Sequence, residues 1–203
     1  MESTDDQIIE KIQRLPRGRV FFTDSFLDIS NAKTVAKALE RFVQSGKLQR
    51  AATGMYVRPI EDEIMGPILP SIEEIAEAIA KRDKARAVPT GSYALYKLGL
   101  TTQVPMNIVY YTDSSQRQVK VGKQIITFKK ASARNVSAIG EISKLVIQAL
   151  RTIGKGKVTE QEMRIIRERL KDEKPYHLQH DIKVAPEWIR QLMRPLKNKD
   201  THD

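Results

Sequence analysis

Apolar positions recur along this chain with two periods, and the switches between them mark out its elements. At the start, Thr4-Asp5-Asp6-Gln7 has the form of a helix-opening capping box, and Ile8, Ile9, Ile12 and Leu15 follow at helical spacing. Pro16-Arg17-Gly18 ends that helix. Val20-Phe21-Phe22 is a short apolar run, and Thr23-Asp24-Ser25-Phe26-Leu27 reads as a cap leading into a second, brief helix. Over residues 31–44, Val35, Ala38, Leu39, Phe42 and Val43 fall at i, i+3, i+4, i+7 and i+8 and share one face, while Lys33, Thr34, Lys37 and Arg41 fall on the other. Ser45-Gly46 stops this helix, glycine suiting the left-handed position past a helix end. Leu48-Gln49-Arg50 and Met55-Tyr56-Val57 are extended runs joined by residues 51–54, a hairpin closed at Thr53-Gly54. Three helices and a hairpin within 58 residues have the size and order of a winged helix-turn-helix.

The pattern changes after Arg58-Pro59. Gly66-Pro67-Ile68-Leu69-Pro70 is expected to be irregular because its prolines lack amide donors, so residues 61–70 read as a linker between a domain at 1–60 and a second at 71–203. Ser71-Ile72-Glu73-Glu74 is another capping box, opening a helix with the stripe Ile72, Ile75, Ile79 that runs to about Arg82. Val88-Pro89-Thr90-Gly91 is expected to break the chain, and residues 92–98 form a short helix stopped by Gly99. Residues 107–112, 117–121 and 124–129 read as three strands, the last two joined at Gly122-Lys123, a pair suited to a type II′ turn. A long helix over 136–153 follows, with Ile139, Ile142, Val146, Ala149 and Leu150 on one face. Thr159-Glu160-Gln161-Glu162 caps a further helix bearing Met163, Ile166 and Leu170. Lys174-Pro175 divides it from a last helix over 186–196, whose apolar stripe of Trp188, Ile189, Leu192 and Met193 is expected to pack in the core; the tail 197–203 is polar. The expected class is α+β: a winged helix-turn-helix, then a mixed domain with a small antiparallel sheet and C-terminal helices.

Charge adds a partner to this outline. The 203 residues carry 35 Lys and Arg against 25 Asp and Glu, a net +10, which attracts polyanions. Its placement matters more than its sum. Residues 31–58 hold six cations, at 33, 37, 41, 47, 50 and 58, against Glu40 alone, and residues 117–134 hold six with no acid. In a major groove, Asn31 and Thr34 near the helix start suit base edges, Lys37 and Arg41 suit phosphates, and Lys33 shares their DNA-facing side. Arg50 and Arg58 flank the wing, Thr53 stands at its tip within reach of a backbone or minor groove, and Tyr56 is expected to pack the wing on the core. The competing reading of the helical cations is a solvated face. For Lys120, Lys123, Lys129 and Lys130 three readings stand: further DNA contact, an RNA or protein surface, or cations that keep an edge strand from pairing with other chains.

Other chemistry is excluded by what is missing. With zero cysteines there are no disulfides, thiolate metal sites or cysteine nucleophiles. No apolar run approaches the roughly 20 residues of a membrane span, and the acidic start is the reverse of a secretory leader, so a cytoplasmic protein without a membrane partner is expected. His177, His180 and Asp181 form a His-x-x-His-Asp cluster that no carboxylate or thiol pattern completes; it reads as a surface loop rather than a metal site. Gly154-Lys155-Gly156-Lys157 lacks phosphate-loop spacing, and Gly91-Ser92 has no nucleophile-elbow pattern around it. No catalytic constellation, metal site or cofactor motif results, and the chain is not expected to be an enzyme.

Two stretches resemble a known family. The pattern Phe22, Asp24, Phe26-Leu27, Val35, Ala38-Leu39-Glu40-Arg41-Phe42-Val43, Gly46-Lys47-Leu48, Gly54-Met55-Tyr56 resembles the N-terminal winged helix of AbiE-type antitoxins, the transcriptional-repressor halves of bacterial abortive-infection toxin–antitoxin operons. Gly91-Ser92-Tyr93-Ala94-Leu95, Leu98-Gly99-Leu100, Gln103, Pro105 and the strand after them are similar to the start of that family's second domain. The resemblance spans residues 5–135. It implies an antitoxin that binds inverted repeats at its own promoter and counteracts a nucleotidyltransferase-like toxin without requiring a stable complex. One winged helix covers only a few base pairs, so tight operator binding calls for two copies on repeated half-sites, as a homodimer or by cooperative loading. The alternatives are a stand-alone regulator whose second domain senses a ligand or dimerises, and a nucleic-acid-processing protein that docks through the winged helix.

Overall fold

Residues 3–194 are described by a computed structural model, and they separate into two units. One unit runs to Lys84 and takes in Gln118–Ile126; the other holds Ala85–Arg117 and the chain from Thr127 onward. In chain order the elements are α1 (Thr4–Gln13), β1 (Val20–Phe22), a 3-10 turn (Thr23–Phe26), α2 (Ala32–Gln44), β2 (Gln49–Ala52), β3 (Met55–Val57), β4 (Ile60–Asp62), β5 (Gly66–Ile68) and α3 (Ile72–Arg82). There follow β6 (Ala87–Thr90), α4 (Ser92–Leu98), β7 (Asn107–Thr112), β8 (Arg117–Val121), β9 (Gln124–Lys130), a second 3-10 turn (Ala133–Val136), α5 (Glu141–Ile153), α6 (Glu160–Leu170), α7 (Pro175–Val184) and α8 (Glu187–Met193). The class is α+β, and the first elements have the order of a winged helix.

In the first unit α1 is capped one residue earlier than the sequence pattern indicates. Ser3 rather than Thr4 is the cap: its hydroxyl accepts from the Asp6 amide, and the Asp6 carboxylate accepts from the Ser3 amide. The brief second helix is a single 3-10 turn, which still buries Phe26 completely. Ile8 and Ile12 of α1, Phe21, Phe26, and Val35, Ala38, Leu39 and Phe42 of α2 form one core together with Leu48 and Tyr56. Phe21 meets Phe26 edge-on at 5.6 Å and stacks on Tyr56 at 6.3 Å. Tyr56 is thus the residue that fixes the β2–β3 hairpin to the helices. The sheet order is β1-β3-β2, with Phe21 opposite Tyr56 and a bulge between Arg50 and Ala52.

The expected linker over 61–70 is instead largely a hairpin. β4 pairs antiparallel with β5, and Glu61 lies opposite Pro67. A two-stranded ribbon leaves each strand one unpaired edge, so a proline there forfeits no ladder bond. Asp62 closes the turn by accepting from the amides of Met65, at 2.8 Å, and Ile64, at 2.9 Å, and these bonds hold its carboxyl below the usual range. α3 begins at the expected Ser71 box, buries Ile75, Ala76 and Ile79, and sets the Arg82 guanidinium 4.4 Å above the Phe22 ring. It therefore belongs to the first unit, not to the second domain read from residue 71.

Residues 85–117 and those from 127 onward build the second unit. β6, β7 and the end of β9 lie in this unit, in a sheet of order β6-β7-β9-β8 whose residues within Gln118–Ile126 are counted with the first; β6 is a fourth strand where a chain break is expected. Pro89 is admissible because β6 lies at the sheet edge. The β8–β9 turn behaves as predicted for type II′, with Gly122 at φ +57 and no positive φ at Lys123. α4 ends where Gly99 adopts the left-handed conformation. Helix 136–153 is interrupted: a 3-10 turn precedes Gly140, which is extended and caps α5. A Cβ at Gly140 would overlap the Ser143 hydroxyl and the Glu173 carboxylate. α5 buries Val146, Ile147, Ala149 and Leu150 against α4, α6 and α8, and Ile189 and Met193 of α8 enter the same cluster with Trp188 and Leu192 at its margin. α7 is a helix the sequence pattern misses. α8 ends at Met193; the expected continuation to Leu196 and the tail 197–203 lie outside the described residues.

Candidate nucleic-acid interface

α2 is the element that can meet a polyanion, because its two faces are chemically separate. Its apolar stripe buries Val35, Ala38, Leu39 and Phe42, with Val43 half-buried, and its outer stripe of Lys33, Lys37, Arg41 and Gln44 is exposed. Lys33 and Lys37, one helical turn apart, form no ion pair with any described residue. The wing adds Arg50 and Thr53, both exposed, with Gly54 in the left-handed region at φ +70 to make the tight turn. Arg50 lies 6.0 Å over the Tyr56 ring and 3.8 Å from the Glu40 carboxylate. An exposed pair at that distance contributes little and yields readily to a stronger anion. These four side chains, two on the helix and two on the wing, make up the accessible cationic and polar ridge.

Several other residues named from the sequence are differently employed. Asn31 is the N-cap of α2: its Oδ1 accepts from the Thr34 amide at 3.0 Å and from the Thr34 hydroxyl at 3.2 Å. Its oxygen and the Thr34 hydroxyl proton are thereby committed to the helix end, leaving the Asn31 NH₂ group to donate. Arg41 is clamped by Asp5 of α1, through contacts of 2.6, 2.7 and 3.0 Å, so a phosphate must displace a carboxylate to reach it. Arg58 donates to the carbonyls of Gln13, at 2.8 Å, and Leu15, at 3.4 Å, binding the end of α1 where the helix dipole favours a cation. Its work is structural. Lys47 lies past the C-terminal end of α2, 5.8 Å over the Phe42 ring. The surplus counted over 31–58 is thus reduced in space by Asp5, which that window does not include.

The second basic stretch is divided by the fold. Lys120 and Lys123 are exposed on the part of the β8–β9 hairpin that groups with the first unit, and Lys129 and Lys130 are exposed at the end of β9 in the second. β8 is the outer strand of its sheet, the place where an exposed lysine opposes edge-to-edge pairing.

His177, His180 and Asp181 lie on α7, not on a surface loop. Asp181 is fully buried and accepts from the amides of Ile139 and Gly140, both at 2.8 Å, and from the Ser143 hydroxyl at 2.5 Å. Glu173 accepts from the amides of Ile142, at 2.7 Å, and Ser143, at 2.9 Å. Two carboxylates from beyond α6 therefore satisfy the open amides at the start of α5. Burial alone would raise the Glu173 pKa, but the amides of Ser143, Ile142 and Lys174 together outweigh it and hold the carboxyl below its ordinary value. The chemistry of this cluster is helix capping.

α1, the 3-10 turn, α2 and the β2–β3 hairpin follow one another in the order of a winged helix, within a chain of the α+β class. Its sequence places it further: the chain belongs to the Family of unknown function (DUF6088), whose pattern matches residues 7–178 and so reaches across both units. No curated protein matches it. Among the described residues, no helix is long and apolar enough to cross a membrane.

Proposed function

We propose that the chain is a sequence-specific DNA-binding repressor, seating α2 in a major groove with the wing on the flanking backbone, and that it serves as the antitoxin of a toxin–antitoxin operon that it represses itself. The observation that carries the DNA-binding part is the pair Lys33 and Lys37, exposed and without an ion pair among the described residues, on the outer face of a helix whose inner face buries Val35, Ala38, Leu39 and Phe42. Leaving lysines without counter-charges beside a wing makes sense if the counter-charge is a phosphate backbone. The base-reading role passes to the Asn31 NH₂ group and to side chains near the α2 start, since the Asn31 oxygen is occupied. The antitoxin part rests on the resemblance to AbiE-type antitoxins, and its partner is a nucleotidyltransferase-like toxin.

Hydroxyl-radical footprinting on the DNA upstream of the chain's own reading frame tests the first part. Protection is expected in two patches about one helical turn, or a multiple of it, apart, as two copies on repeated half-sites require. Uniform protection, or none on that fragment, counts against a repressor of its own operon. Co-expression with a neighbouring nucleotidyltransferase-like frame tests the second part: growth restored by this chain supports an antitoxin, and unrelieved toxicity removes that role while leaving the DNA-binding reading in place.

A further inference from the structure

We propose that the second unit carries a binding pocket for a small phosphate ester of mononucleotide size, with Arg151 and Lys129 as its phosphate-binding groups. The pocket is a cavity of about 340 Å³, at the lower end of the range for small-molecule sites. Thr90 comes from the end of β6, Tyr111 from β7, Lys129 from β9, Asn135 from the second 3-10 turn, and Gln148 and Arg151 from α5. All lie within one unit, and no carboxylate lines the cavity.

Arg151 gives the pocket its chemistry. Its guanidinium is half-buried, and its one hydrogen bond among the described residues runs from Nη1 to the neutral Oδ1 of Asn135 at 2.7 Å. A guanidinium has five N–H donors in a rigid fork suited to phosphate and carboxylate, so most of this fork has no protein acceptor among the described residues. Three other arginines have a carboxylate: Arg41 has Asp5, Arg82 has Asp83, Arg190 has Glu187. Arg151 has burial and a like-charged neighbour, Arg134, both of which disfavour its charge, with Tyr111 acting the other way. Withdrawing a cation from water without a counter-ion is costly, and a ligand anion offsets that cost. Lys129, exposed on the same rim, adds a second cation.

The rest of the wall favours a small ligand over a nucleic-acid strand. The lining residues come from β6, β7, β9, the second 3-10 turn and α5, around a volume that suits a mononucleotide. Period-two alternation along β7 puts Val109 and Tyr111 on one face, so a ring and an aliphatic side chain border the polar end. Gln148 is buried, donates to the Asn135 carbonyl at 3.2 Å and accepts from Thr90 at 3.5 Å, tying α5 to the 3-10 turn and to β6 at the pocket floor. Thr90-Gly91, which the DNA-binding reading leaves unused, forms part of this wall.

Isothermal titration of the full chain tests the pocket, with AMP and GMP as probes, inorganic phosphate as the bare anion and adenosine as the uncharged control. Nucleotide and phosphate binding is expected, with adenosine at least about tenfold weaker than AMP, the loss that follows from removing one charged contact. Arg151→Gln, which keeps a donor for Asn135, is expected to weaken AMP about tenfold or more, and Lys129→Ala several-fold; Lys155→Ala, outside the cavity, leaves it unchanged. Lys129 is exposed, so its variant remains informative should Arg151→Gln fail to fold. The proposal is overturned by no binding of any phosphate probe at about 10 mM, by adenosine binding as well as AMP, by affinities indifferent to both variants, or by a single-stranded RNA that displaces AMP while binding far more tightly. None of these outcomes touches the winged helix, and Lys37→Ala is expected to leave nucleotide binding intact.

Discussion

At the residue scale, Asp5 governs what Arg41 can do, although 36 positions separate them. The pair is solvent-exposed, so it contributes little to stability, but it sets an acidic group on the face proposed to meet DNA. Asp5→Ala therefore releases a cation and removes a repulsion. Affinity for duplex DNA is expected to rise several-fold, with a salt dependence steeper by about one phosphate contact, in fluorescence anisotropy across salt concentrations. An unchanged or weaker affinity would mean that this end of α2 does not face the duplex. Asn31→Ala removes a helix cap first and a base contact second: thermal unfolding should show a loss of about 1 kcal/mol, which Asn31→Asp restores. Which helix carried the charge was readable from its 3.6-residue period. Which cations were unpaired was not, since the Arg41 and Arg58 partners lie on another element.

The elements divide by where their capping groups come from. α1, α3 and α6 are capped by side chains three residues away, so their starts were visible in short sequence windows to within a residue. α5 is capped by Glu173 and Asp181, 30 to 42 residues downstream, and its start was misplaced accordingly. α7 and β6 were missed for a related reason: Pro175 opens a helix at a position that needs no amide, and Pro89 sits on an edge that needs none either. The Glu173 cap has a pH signature. Glu173 has a folded-state pKa below its unfolded one, so its contribution is complete above the unfolded carboxylate range near 4.5 and is lost as pH falls through the folded value. Glu173→Gln is expected to flatten the acid limb of stability against pH, and Asp181→Ala, which strands the Ile139 and Gly140 amides, to cost about 3 kcal/mol at neutral pH. An acid limb of unchanged steepness in Glu173→Gln would remove the capping role.

For the whole molecule, the α+β class and the winged-helix order followed from periodicity, but the boundary between units did not. A run of Gly and Pro at 66–70 looks like a linker in any local window; only pairing with β4 and the packing of α3 on β1 show that the first unit continues to Lys84. A fragment 1–84 is accordingly expected to melt at a higher temperature than 1–60, which exposes the surface that Ile75, Ala76 and Ile79 cover. The reverse order would restore the earlier boundary. The central claim, that the exposed face of α2 meets duplex phosphates, is tested most directly by the slope of log affinity against log salt for the full chain on its upstream DNA, compared with Lys37→Ala. The account predicts a steep negative slope that becomes shallower by about one unit in the variant, with weaker binding to every sequence. Identical slopes and affinities for the two proteins would contradict it.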